Sequence, residues 1–164
     1  MADKAMDTYL NDHLAGAMFG SDLAGQIASQ IEGAEHANRF RDLAEQIEAD
    51  RLTLAALMDR LGTAKNPVKQ ATTWLAEKLS RIKLTGVSSG ESELGLFMAI
   101  ETLSLGVEGK ASLWRLLRDV SDRYPSVNDA ELDGLIARAA SQRDMLEGER
   151  AAAGRRAFGM QLPD

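Results

Sequence analysis

Apolar residues along this chain recur at intervals of three and four, and the recurrence divides it into four long amphipathic segments. The clearest is FRDLAEQIEADRLTLAALMDRL, where Phe40, Leu43, Ile47, Leu54, Leu57 and Leu61 share one helical face. Gly62 follows as a natural stop. Before it, about Asp7 to Ile31 carries Leu10, Ala17, Ala24 and Ile31 in one row, with Leu14, Ile27 and Ala28 in a second. Gly16, Gly20 and Gly25 fall inside that helix, each at a cost of about 1 kcal/mol relative to Ala. Close approach of a neighbouring helix is the expected compensation. Glu32 to His36 reads as the turn between the two segments.

A third long helix is expected from Glu91 to Asp122, with Leu96, Ile100, Leu103, Val107, Trp114 and Leu117 inward. Pro125 marks the break, and a fourth runs from about Asn128 to Phe158 through Leu132, Leu135, Ala139, Leu146 and Ala153. Between the second and third lies a connector, residues 63–90. It holds a shorter helix opened by Asn66-Pro67, a good N-cap followed by a proline at the first helical position. Its apolar stripe is Val68, Ala71, Leu75, Leu79 and Ile82, with Trp74 beside it. Lys69, Lys78, Arg81 and Lys83 make the opposite surface basic.

Connection lengths predict the topology. Tight joints make the first and second helices antiparallel, and likewise the third and fourth. The connector is long enough to travel the length of the bundle, so the second and third helices are expected to run parallel. The result is an all-α, up-down-down-up four-helix bundle with a helical crossover. One domain is expected over residues 1–158, with residues 159–164 expected as a flexible tail.

Composition narrows the function. The 164 residues are 45% hydrophobic but only 5% aromatic, which suits closely packed helices rather than a sheet. A net charge of −6 gives no general support for binding nucleic acid. Cysteine is absent, which removes disulfides, thiol catalysis and thiolate metal sites. No secretory signal and no long apolar run appear, so a cytoplasmic location is expected.

The candidate chemistry lies in polar residues that breach the apolar stripes. Heptads written along the four helices place His13, Asp50, Lys110, Gln142 and Glu149 at seam positions. At about 1.5 Å of rise per residue, His13, Asp50 and Lys110 fall within roughly 10 Å of one another along the axis. Gln142 comes near mid-bundle and Glu149 farther off. In one reading Asp50 and Lys110 form a buried ion pair, with His13 satisfying what remains, and the pair sets helix register. In the other the cluster is a variant metal or substrate site.

With these residues placed, the chain resembles the ferritin-like superfamily. NDHLAGA, QIEADRLTL, NPVKQATTWLAEKLSRIKLTG and GVEGKASLW are similar to a bacterial family of about this length, one with no assigned activity. Active ferritin-like proteins hold a carboxylate-bridged dinuclear metal site built from inward Glu residues and two Glu-x-x-His motifs. That pattern is missing. Neither His13 nor His36 has a Glu three residues before it, and Glu45 and Glu48 lack a histidine partner. Glu101 and Glu108 fall outside the stripe, and Lys110 sets a cation where metals would sit. No metal or other cofactor is therefore expected.

Three functional classes follow. One is a non-catalytic ferritin-like scaffold or partner-binding protein, expected to be a homodimer. Another is an oxidoreductase or metal-binding protein with an irregular site around His13 and Asp50. The last is a peripheral membrane or anionic-ligand binder working through Lys69, Trp74, Lys78, Arg81 and Lys83. Phosphate-binding glycine loops and nucleophile elbows are absent.

Overall fold

A computed structural model describes residues 4–31, 33–66 and 89–159. The elements among the described residues are all helices: α1 (Lys4–Gln30), α2 (Ala34–Leu61), α3 (Ser89–Asp119), a short 3-10 turn (Ser121–Arg123) and α4 (Asp129–Ala157). Together they are compatible with a four-helix bundle. No helix among them is long and apolar enough to cross a membrane.

Local chemistry accounts for the ends. Gly62 sits in the left-handed region at φ 69°, ψ 24°. Its N–H donates to the Asp59 carbonyl and that of Thr63 to the Met58 carbonyl, a Schellman closure that satisfies the last carbonyls of α2. The Asn128 side chain accepts from the Glu131 N–H at 3.2 Å and caps α4. The joint between α1 and α2 is shorter than expected, because Ala34, Glu35 and His36 are already helical. Gly33, at φ 95°, turns the chain, and its carbonyl accepts the Ala37 N–H at 2.9 Å. α3 also ends earlier than the pattern implied, its last residues becoming the 3-10 turn.

The core forms two clusters. One holds Leu10 and Leu14 of α1, Leu54, Leu57, Met58 and Leu61 of α2, Leu113, Trp114 and Leu117 of α3, and Leu132 and Leu135 of α4. The other joins Leu23 and Ile27 to Phe40, Leu43 and Ile47, then to Ile100, Leu103 and Val107, and to Ala139, Leu146 and Ala153. The start of α1 thus meets the ends of α2 and α3 and the start of α4. Consecutive helices in each hairpin run antiparallel, and α2 and α3 run in the same sense. Asn11 reinforces the first hairpin. Its Nδ2 donates to the Ala64 carbonyl at 2.9 Å, and its Oδ1 accepts the Asn66 N–H at 2.7 Å.

α1 packs on α2 and α3, and α3 packs on α4. Polar contact between α2 and α4 is made by long side chains, among them Arg60 to Glu131 at 2.7 Å. That difference positions the site.

Candidate functional site

Asp50 lies in the apolar stripe of α2 and is 1% exposed. A carboxylate so placed must be fully bonded or it would be severely destabilising. Its Oδ2 accepts from Lys110 Nζ of α3 at 2.5 Å and from Gln142 Nε2 of α4 at 3.3 Å. Its Oδ1 accepts from Arg138 Nη2 of α4. Lys110 also donates to Gln142 Oε1 at 2.6 Å, and Gln142 Nε2 reaches Gln46 Oε1 of α2 at 3.2 Å. Burial pushes the Lys110 ammonium below the ordinary lysine value, Asp50 pulls it back up, and Arg138 adds a smaller push down.

The five seam residues read from the sequence divide in space. Asp50, Lys110 and Gln142 are bonded to one another. His13 lies nearby on α1, but no hydrogen bond joins it to Asp50 or Lys110 among the described residues; its ring stands edge-on to Tyr9, with centroids 4.5 Å apart. The partners that join Lys110 at Asp50 are Arg138 and Gln142, where the sequence reading placed His13. Glu149 stands apart, bonded to His36 Nδ1 at 3.2 Å and near Arg39 Nη1 at 3.4 Å. Arg138 escaped the sequence reading because it sits one step off the α4 seam with its side chain 38% exposed. Its spacing of four from Gln142 was the available signal.

His13, Asp50 and Lys110 share something else. They line a cavity of about 350 Å³ between α1 and α3, with Ile47 and Leu54 of α2 contributing to its wall. Gly16 and Gly20 of α1 face it, as do Gly106 and Gly109 of α3. This corrects the expectation that the α1 glycines admit a close neighbour. A Cβ built at Gly16, Gly25, Gly106 or Gly109 meets nothing within 4 Å, and one at Gly20 meets only Ile47 Cγ2 at 4.0 Å. Gly16, Gly20, Gly106 and Gly109 border the cavity, with Gly16 and Gly106 exposed to solvent. A glycine under pressure is Gly154, where a Cβ would come within 3.1 Å of Phe97.

The remaining lining is mostly apolar: Phe19, Leu103, Val107, Leu113 and Trp114. Trp114 is 1% exposed, and its indole N–H has no hydrogen-bond acceptor. Burial lowers the His13 pKa, and nearby Asp12 opposes that shift more weakly.

Asp50 is committed to three donors, so general-base catalysis or metal ligation by it would require breaking the network. Among the described residues, no group of three or more His, Cys, Asp or Glu side chains is placed to hold a metal. Glu48 is bonded by Arg51 and by Ser21 Oγ at 2.6 Å, which holds its carboxyl at about 2. Lys69, Trp74, Lys78, Arg81 and Lys83 lie outside the described residues. Comparison of the chain with family models, curated proteins and solved structures gives no match.

Proposed function

We propose that this protein is a ferritin-like, up-down-down-up bundle that acts by binding rather than by catalysis, and that the α1/α3 cavity is where a small molecule sits. The cavity carries this reading. It is concave and mainly apolar, with a few polar groups converging on it, which are the usual attributes of a small-molecule site. At about 350 Å³ it exceeds the roughly 150 Å³ apolar cavity that takes one benzene, so a body of about two fused rings fits. The network around Asp50 serves as its rigid support, with every polar member tied to another helix.

The test uses tetralin, an apolar bicyclic probe, followed by calorimetry and by the midpoint of thermal unfolding. Saturable binding of one equivalent per chain is expected, with the midpoint rising as ligand is added. Gly109→Leu should weaken binding while leaving the helical content intact, because Gly109 lines the cavity, is partly buried, and a Cβ there meets no neighbour. Absence of binding to the unmodified protein would reject the proposal.

Self-association is favoured by a separate observation. Leu94, Met98, Leu105 and Leu116 are exposed on α3 at separations of four, seven and eleven residues, so they form one narrow apolar stripe. A homodimer that covers this stripe should dissociate on Leu105→Lys, as read by sedimentation.

A further inference from the structure

Given that the cavity is a binding site, its guest is oriented by the polar side chains that it can reach. Asp50 and Lys110 line the cavity but are engaged with one another, with Gln142 and with Arg138. The Trp114 indole nitrogen is sealed from the open space. Asp12 is exposed, where water competes for it. Two polar lining side chains are left, Thr102 of α3 and His13 of α1.

A helical threonine can turn its hydroxyl back to a carbonyl of its own helix. The His13 ring has no such local partner. It is half-buried, stands edge-on to Tyr9 and makes no hydrogen bond among the described residues. Its nitrogens are not among the side-chain atoms buried without a partner, so both keep open surface. Burial holds its pKa below the ordinary value, and Asp12 opposes that more weakly. At pH 7 the ring is therefore neutral, with one N–H donor and one lone pair. A neutral ring supplies no counter-ion, so a charged guest would lose its hydration without replacement.

We infer that the cavity selects a small, uncharged, mainly apolar molecule bearing one hydroxyl group, which hydrogen-bonds to the His13 imidazole. The inference rests on the binding role proposed above. A hydroxyl both donates and accepts, so it answers whichever ring nitrogen faces it, and the tautomer adjusts. The apolar body lies against Phe19, Leu103 and Leu113, and the single hydroxyl sets its orientation.

Tetralin and 1-tetralol share one bicyclic frame and differ by one hydroxyl oxygen. Calorimetry on the full chain at neutral pH should find 1-tetralol bound about fivefold more tightly, the worth of one neutral hydrogen bond. His13→Phe should erase that preference while tetralin affinity is retained, and Thr102→Val should leave it in place. His13 and His36 are the only histidines, so His36→Asn assigns the His13 ring resonances. In the unmodified protein the His13 ring nitrogens should shift far more with 1-tetralol than with tetralin, because nitrogen resonances report hydrogen bonding directly. That measurement decides the matter if His13→Phe fails to fold. Equal affinity for the two probes, a preference that survives His13→Phe, or equal nitrogen shifts would overturn the hydroxyl inference and leave the binding role standing. Binding of neither probe would overturn both.

Discussion

Between α2 and α4, the side chains of Gln46, Asp50, Arg138 and Gln142 reach across and bond to one another. Between α1 and α3, Gly16, Gly20, Gly106 and Gly109 present no side chain at all, and a cavity remains. Each arrangement departs from ordinary apolar packing, in opposite ways. A polar filling is stable only while all its members are present, since losing one strands the rest. A seam bordered by glycine has nothing to strand, and it has paid its cost in helix propensity. The first seam should therefore be hurt by mutation, and the second should gain from it.

The largest test of that contrast is Asp50→Leu. It leaves Lys110 and Arg138 without their carboxylate and should destabilise by about 3–5 kcal/mol, measured by urea unfolding. Lys110→Met should cost less, because Asp50 keeps Arg138 and Gln142. Combining the two should recover part of the Asp50→Leu loss, as the half-exposed Arg138 turns to water. Small, additive effects from both single changes would show that the seam is solvated and that the contrast is false.

Next in size is the response of the glycines. Gly16→Ala, Gly106→Ala and Gly109→Ala should each stabilise by about 0.5–1 kcal/mol, since helix propensity improves and no neighbour is touched. Gly154→Ala provides the control. Its new methyl would press on Phe97, so the gain should vanish there. Thermal midpoints that fall at Gly16, Gly106 and Gly109 would mean that α1 and α3 close together in solution.

The smallest effect concerns His13, on the cavity side. Its folded pKa lies below the ordinary 6.5, because burial penalises the charged ring. As pH falls below 6.5, the unfolded chain takes up a proton that the folded protein resists, and stability declines until the depressed folded value is passed. At pH 7 the penalty is nearly absent. His13→Leu should flatten this part of the stability profile between pH 7 and 5. An unchanged slope would place the imidazole in water.

The sequence revealed the helices well where periodicity was strong. Phe40, Leu43, Ile47, Leu54, Leu57 and Leu61 are all buried, as are Leu132, Leu135, Ala139, Leu146 and Ala153 on α4. The proximity of Asp50 and Lys110 could be reached from heptad position and rise alone. Arg138 could not, because a long side chain rooted off the seam can still carry its guanidinium to a buried carboxylate. The cavity was also hidden. A glycine inside a helix reads the same whether a neighbour crowds it or empty space adjoins it, and only the distances at Gly16, Gly106 and Gly109 separate the two.

The Asn11 clamp has a consequence for how the chain is made. It ties the second turns of α1 to residues 53 and 55 positions later, all within the first hairpin. During synthesis from the N terminus, α1 and α2 can pair, close at Gly62 and fasten through Asn11 while α3 and α4 are still to come. That half-molecule carries Asp50 in its apolar stripe with neither cation yet available. The finished network thus needs both halves of the chain, with Asp50 from the first hairpin and Lys110 and Arg138 from the second.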